Sequence, residues 1–215
     1  LVATFATVRL DQTAAWISTA LGTAAFVLLA GALQTDHIDL LRVTGPIGAA
    51  LLAVWVIITV TRQQARLELW RWPTLALAQA AHATTAGIAA INLDATTAAG
   101  TLAAITAWEA HLFSTVATLK TTKPEAVVYR WVGAVFWVAA YVFFVVWAGW
   151  SPETVTTVTI TIGAIVSGIA LAAHLVAPTH RVTEMWLWPI AAIGQTALVG
   201  AGLYAGDMLT TTDAL

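Results

Sequence analysis

Seven apolar runs, each about 20 residues long, constrain this chain more than any other feature. A helix of that length crosses the hydrocarbon core of a bilayer and satisfies its backbone hydrogen bonds within the segment. Only 9% of the 215 residues are charged, against about 25% in soluble domains. The sequence therefore predicts an all-α, polytopic seven-transmembrane-helix bundle that forms one domain over residues 1–215. The predicted spans are 12–33, 43–61, 70–92, 95–119, 127–149, 154–177 and 184–206.

The charged residues separate between the two sides that seven spans would create. All basic residues except Arg42 fall on one side, and they are Arg9, Arg62, Arg66, Arg71, Lys120, Lys123, Arg130 and Arg181. The acidic residues on the other side are Asp36, Asp39, Asp94, Glu153, Asp207 and Asp213. Because basic loops stay cytoplasmic, we predict a cytoplasmic N-terminus and an outer C-terminus in the cell (cytoplasmic) membrane.

One phrase occurs twice, as ELWRWPTLALAQ (68–79) and EMWLWPIAAIGQ (184–195), with the copies 116 positions apart. This spacing carries the first three predicted spans onto the last three and leaves the fourth as a connector. A 3+1+3 pseudo-repeat of this kind has parallel halves. A generic interfacial helix start, with Pro73 and Pro189 in the first turn, also explains the Trp and Pro positions. It does not explain the glutamines, each about 9 Å beyond its proline.

The duplicated glutamines and several aromatic residues are the candidate ligand-binding residues. If the two halves face each other, Gln79 and Gln195 lie near a common axis and hydrogen-bond a ligand. Aromatic side chains would then stack on a flat molecule, with packing or an interfacial belt as the alternative use. The aromatic candidates are Trp72, Trp188, Trp137 and Tyr141.

Glu109 in the fourth predicted span and His82 in the third are ionisable residues at depth. They lie about 15 Å and 18 Å from the same membrane face, on consecutive antiparallel spans. The sequence predicts a buried hydrogen bond or ion pair between them. Such a pair either fixes the register of two helices or responds to a proton or ligand.

Several classes of function are excluded or disfavoured. The chain has no cysteine, so disulfides and thiolate sites are absent, and no nucleophile–base pair, carboxylate dyad or metal cluster is evident. We predict a protein that is not an enzyme and binds neither a metal nor a nucleic acid. A non-covalent pigment or haem is the only cofactor left open. Haem is disfavoured because His82 and His111 differ in depth by about 6 Å.

The chain resembles the heliorhodopsins, seven-helix proteins with a cytoplasmic N-terminus. Arg71-Trp72 matches the start of their third helix, and YRWVGAVFW (129–137) looks like the start of their fifth. Asp94 falls where that family has an Asp between helices 3 and 4. Glu184 precedes Gln195 by eleven positions, the spacing that separates a Glu from the retinal lysine in their seventh helix. The resemblance implies a rhodopsin-like scaffold.

Two positions depart from the heliorhodopsin pattern. Gln195 stands where the family has its Schiff-base lysine, and Thr74 stands where it has the counterion Glu. The only lysines, Lys120 and Lys123, fall in a predicted loop. Covalent retinal therefore has no attachment point at that site.

The chain also resembles the nicotinamide riboside transporters, which are related to the sugar-facilitating SWEET family and have three-plus-one-plus-three helices. The matching motifs are the WRWP start, the EMW start and Leu203-Tyr204. If the two are aligned with the same orientation in the membrane, the first span of this chain has no equivalent in that family. The last helix of that family then has no equivalent in this chain.

Three functions are consistent with the sequence. The first is a sensor, ligand binder or partner platform on a rhodopsin-like scaffold without covalent retinal. The second is a facilitator for a small flat solute such as nicotinamide riboside, and the third is an accessory subunit of a membrane complex. The expected partners are the lipid bilayer, a small-molecule ligand, and further copies or membrane-complex subunits.

Overall fold

A computed structural model of the chain describes the backbone of residues 2–32, 36–61, 65–120, 124–177 and 181–212. Side chains are described in 11–28, 36–61, 68–120, 124–177 and 186–202. Over these residues the fold is all-α, with seven helices and no strand. The helices are α1 (Val2–Ala32), α2 (His37–Val60), α3 (Ala65–Asn92), α4 (Ala95–Leu119), α5 (Glu125–Ala148), α6 (Pro152–Val176) and α7 (Arg181–Thr212).

Each of the seven predicted segments overlaps one of these helices over most of its length, and the all-α class is confirmed. The ends differ most for α1 and α7, which extend beyond the apolar runs predicted as 12–33 and 184–206. A helix that has started continues by one backbone hydrogen bond per residue. Polar residues that flank an apolar run therefore join its helix at little cost.

Pro73 and Pro189 lie inside helices, as Pro46 does in α2. Pro73 lies eight residues after the start of α3 at Ala65, and Pro189 lies eight residues after the start of α7 at Arg181. The first-turn position that the generic interfacial helix start requires is therefore wrong in both copies by about two turns. The equal offset agrees with the duplicated phrase.

Local side-chain chemistry sets the ends of the middle helices. Asp94 caps α4, because its Oδ1 accepts hydrogen bonds from the backbone N–H of Thr96 at 3.1 Å and of Thr97 at 3.0 Å. Hydrogen bonds from Thr97 are the main reason that the pKa of the Asp94 carboxyl is lowered. Ser151 caps α6 at Thr154 N, and Gly149, with φ of +61°, ends α5 in the left-handed region.

The helices pack in the same order in the two triplets α1–α3 and α5–α7. In each triplet the third helix packs closely along the second and more lightly against the first. The connector α4 packs most closely on α5 and also contacts α2 and α3. The order of packing therefore makes α1, α2 and α3 equivalent to α5, α6 and α7, as the 116-residue spacing does.

The apolar core lies between α2, α3, α4 and α5. Trp55 is its centre, with ring centroids 5.1 Å from Phe113 and 5.5 Å from Tyr129. Leu52 and Val116 are also fully buried beside it. By contrast, α6 and the described part of α1 bury few side chains and expose large apolar ones.

Four helical segments in the described part of the chain are long and apolar enough to cross a membrane: His37–Val60, Glu68–Asn92, Glu125–Ala148 and Pro152–Val176. The centre of α4 carries Glu109 and His111, which lower its mean hydropathy. The side chains of α1 and α7 are described only in part. The outer surface of the bundle carries many exposed Ile, Leu, Val and Trp residues, as expected of a protein solvated by lipid.

Glycines allow close approach of neighbouring helices where a side chain would not fit. A Cβ added at Gly133 of α5 would lie 2.7 Å from Ser114 Oγ of α4, and one at Gly100 of α4 would lie 2.6 Å from the Trp147 ring of α5. A methyl group at either glycine would therefore push α4 and α5 further apart.

We expect Gly133→Ala to lower the free energy of unfolding by about 1–3 kcal/mol, the usual cost of overpacking. The new methyl group would also lie 3.2 Å from the Ser114 backbone nitrogen, so rotation of Ser114 alone does not relieve the contact. Gly168→Ala is the matched control, because no atom lies within 4 Å of its added Cβ. Thermal unfolding in one detergent compares the two variants, and equal midpoints would contradict the prediction.

Candidate functional site

Glu109 of α4 and His82 of α3 form a buried pair. The distance between His82 Nδ1 and Glu109 Oε1 is 2.6 Å. The side chains are only 4% and 2% exposed. The contact expected from their matched depths is present, because consecutive antiparallel helices bring equal depths side by side.

Gln79 completes this cluster from the same face of α3. Its Nε2 donates a hydrogen bond of 3.1 Å to Glu109 Oε1, the oxygen that also contacts His82. Residues three apart on a helix are neighbours on its surface, so Gln79 and His82 reach one carboxyl oxygen together. We refer to Gln79, His82 and Glu109 as the Glu109 cluster.

Gly48 of α2 provides the space that the His82 ring occupies. A Cβ at Gly48 would lie 2.3 Å from His82 Cδ2 and 2.7 Å from Nε2. One turn away, the hydroxyls of Thr44 and Thr85 join α2 and α3 at 2.8 Å. Sequence reasoning missed Gly48; its only signal was a glycine inside an apolar span.

The second carboxyl oxygen of Glu109 has a different environment. Oε2 is buried and has no hydrogen-bond partner among the described residues. An unpartnered polar oxygen in an apolar interior is uncommon and costs about 1–3 kcal/mol. One carboxyl oxygen of Glu109 therefore has two hydrogen-bond partners, and the other has none among the described residues.

The structure does not bring Gln79 and Gln195 together. Gln79 is directed at α4, whereas Gln195 is exposed and its Nε2 lies 3.4 Å from Ser167 Oγ of α6. The expectation that both amides approach a common axis has no support in the described contacts. The physical reason is that α4 brings Glu109 to Gln79, whereas among the described side chains Gln195 bonds only to Ser167 of α6.

The predicted aromatic candidates do not form a common pocket either. Trp72, Trp137 and Trp188 are exposed on the outside of the bundle. Tyr141 is half-buried, and its hydroxyl lies 2.6 Å from Thr159 Oγ1 of α6. These positions match the use of tryptophan on lipid-facing surfaces and of Tyr141 as a link between helices.

A second polar cluster joins α3 to α5 around Arg71, which is buried. Its guanidinium donates to Glu68 Oε1 at 2.7 Å, to Tyr129 Oη at 2.6 Å, and to Glu125 Oε2. The guanidinium carbon also lies 4.8 Å from the centre of the Trp72 ring. Sequence reasoning used Arg71 as a basic residue of the cytoplasmic side and as part of the heliorhodopsin resemblance, and did not predict these contacts. We refer to Arg71, Glu68, Glu125 and Tyr129 as the Arg71 cluster.

A cavity of about 750 Å³ lies between α1, α2 and α3. Its walls are apolar, with Phe26, Leu51 and Leu77 among the lining residues, and a few hydroxyl groups reach it. None of the six predicted ligand-binding residues lines this cavity. We call it the α1–α3 cavity.

No group of three or more His, Asp and Glu side chains in the described part of the chain is placed to hold a metal ion. His111 is exposed, and its ring lies 6.4 Å from that of Trp108. It therefore does not face His82, whose ring is in contact with Glu109.

Comparison of the chain with protein-family models, with curated proteins and with solved structures finds no match. Function is therefore inferred from the geometry of the described side chains.

Proposed function

We propose that this protein crosses the cytoplasmic membrane seven times, with its N-terminus inside, and binds a small molecule without catalysing its conversion. A helix in each of the seven apolar segments supports the span number, and the separation of basic from acidic residues supports the orientation. In this proposal it acts as a sensor or ligand binder on a rhodopsin-like scaffold.

The observation that carries the proposal is the α1–α3 cavity. Its volume of about 750 Å³ lies within the range of about 300–1,000 Å³ that is usual for small-molecule sites. Apolar walls with a few convergent hydroxyls are the usual composition of such sites, and Ser18, Thr19 and Thr84 supply hydroxyls here. No lysine lines the cavity, so the proposed ligand is held without a Schiff base.

The two triplets differ in the bond between their first and second helices. Tyr141 and Thr159 join α5 to α6 by their hydroxyls. The equivalent positions 116 residues earlier are Ala25 and Val43. Neither of these apolar side chains can form that bond.

Filling the cavity from α1 tests this proposal. Gly22 lines the cavity, and no atom lies within 4 Å of its added Cβ, so we expect Gly22→Leu to remove a co-purified small molecule while the protein stays folded. Gly87→Leu on α3 is the matched control, since Gly87 is equally open but does not line the cavity.

Native mass spectrometry of the purified protein measures the bound molecule, and visible absorbance shows whether it is a pigment. We expect a defined adduct in wild type and in Gly87→Leu. Equal occupancy in Gly22→Leu, or no adduct in wild type from any detergent, would rule the binder out.

A facilitator for a small flat solute is the second candidate. The repeated packing order of the two triplets favours it, because parallel repeats occur in transporters of the SWEET type. Against it, the Gln79 and Gln195 amides are directed at different helices. Uptake of nicotinamide riboside into vesicles, with Gln195→Ala for comparison, measures this function, and an absence of uptake under any gradient excludes it.

A further inference from the structure

The Glu109 cluster has one atom that is free to bind a proton. Oε1 of Glu109 already contacts both His82 Nδ1 and Gln79 Nε2. Oε2 is buried, with no partner among the described residues. A proton that enters the cluster therefore meets an open lone pair on Oε2, and the bonds at Oε1 do not have to break first.

We propose that Glu109 Oε2 is a proton-binding site that reports pH to the α3–α4 interface. With a single proton shared between His82 and Glu109, the pair has no net charge, whether it is an ion pair or a neutral pair. Uptake of one proton at Oε2 leaves a neutral carboxylic acid beside an imidazolium and raises the net charge of the cluster to +1. Release of that proton restores zero net charge.

No hydrogen bond or ion pair in the described part of the chain joins the cluster to another charged side chain. Gly48 faces His82 from α2 and has no side chain, and His111 of α4 is exposed. The carboxylates and the phenol nearest the α3 start are bonded to Arg71. Among the described side chains, the remaining titratable or charged groups on the packed helices and at their ends are Asp11 of α1, Asp36, His37, Asp39 and Arg42 at the start of α2, Asp94 and Lys120 at the two ends of α4, and Arg130 and Tyr141 of α5.

The isolation of the cluster determines its response to the proton. A net charge in an apolar interior is costly unless a counter-charge or water stabilises it. Among the described residues, Glu109 and His82 have only each other and Gln79 as partners. Proton uptake therefore favours a state in which α4 separates from α3 and admits water. This inference does not rest on ligand binding, since no residue of the cluster lines the α1–α3 cavity.

Two measurements on the full-length protein test the inference. Infrared difference spectra taken between neutral and acid pH should show the C=O stretch of a newly protonated buried carboxylic acid. The band should be absent from Glu109→Gln, which keeps the shape of the side chain and cannot bind the proton. A wild-type spectrum without such a band, or an equal band in Glu109→Gln, would overturn the assignment.

The second measurement uses the absence of native cysteine. Thr106 is buried on α4, one turn before Glu109. We expect Thr106→Cys to react with a water-soluble maleimide on the order of tenfold faster at acid pH, after correction for the thiolate fraction, which corresponds to about 1.4 kcal/mol in opening. The rate should not change in the Glu109→Gln background. A pH-independent rate in both backgrounds would show that the cluster only fixes helix register.

If Glu109→Gln does not fold, His82→Gln should shift the midpoint of both titrations, and an unchanged midpoint would contradict the proposal.

Discussion

Replacing Glu109 by alanine is expected to lower the free energy of unfolding by about 3–5 kcal/mol, the cost of removing one member of a buried ion pair. The substitution removes the only described partner of His82 Nδ1 and of Gln79 Nε2. The buried His82 ring and the partly buried Gln79 amide then both lose their described hydrogen bond. Thermal or denaturant unfolding of the purified protein in a single detergent measures the loss.

Two further variants separate the hydrogen bonds from the volume of the side chain. Glu109→Gln retains the shape and an acceptor oxygen, so its loss should be well below that of Glu109→Ala. In a double-mutant cycle of Glu109→Ala with His82→Ala, we expect a coupling energy of about 0.5–3 kcal/mol. Additive losses in the cycle would show that the 2.6 Å contact contributes nothing to stability.

The contact between Glu109 and His82 could be predicted because helix geometry fixes depth. Each residue rises by about 1.5 Å, and the apolar runs locate the helices to within a few residues. Two polar residues at equal depth on consecutive helices then become neighbours if they share a facing side. This reasoning uses only the distance along each axis, which a sequence supplies.

Rotation about the helix axis is not fixed in the same way, and here the sequence reasoning failed for Gln79. The 116-residue repeat made Gln79 and Gln195 equivalent. In the structure their surroundings differ, because α4 brings Glu109 to Gln79, whereas Gln195 lies beside Ser167 of α6. The connector helix has no copy, so a repeat can predict equivalent backbones without predicting equivalent partners.

The aromatic residues show a related limit of prediction from sequence. Tryptophan suits both a stacking pocket and a lipid-facing surface, and composition alone does not distinguish the two. Exposure decides it for Trp188, which is 72% exposed. The α1–α3 cavity was not predictable either, because it arises from what small side chains such as Gly22, Ala80 and Ala81 leave unfilled.

Arg71 was missed as a structural residue because it lies one residue from the end of the predicted span 70–92 and was therefore assigned to the basic cytoplasmic side. The helix α3 begins at Ala65, so Arg71 lies within it and faces α5. The second copy of the phrase has Leu187 at the equivalent position. Leucine is therefore a suitable replacement for Arg71, because the second copy of the phrase already carries leucine at this position within a helix.

Arg71→Leu is expected to lower the free energy of unfolding by about 1.5–3 kcal/mol, the range for hydrogen bonds to charged groups. It removes the bonds to Glu68, Tyr129 and Glu125. Glu68 and Glu125 have side chains 58% and 49% exposed, so they are rehydrated and the loss stays below that of a fully buried pair. Tyr129 is buried and loses its described hydrogen-bond partner.

Arg42→Leu is the matched control for this prediction. Arg42 also pairs with an acid three residues away, Asp39 at 3.2 Å, but both side chains are exposed and the pair lies within α2. An exposed pair contributes about 0–1 kcal/mol. Arg71→Lys should recover only part of the loss, because an ammonium cannot match the planar fork of a guanidinium at several acceptors. If Arg71→Leu and Arg42→Leu unfold at the same temperature, the Arg71 cluster does not hold α3 against α5.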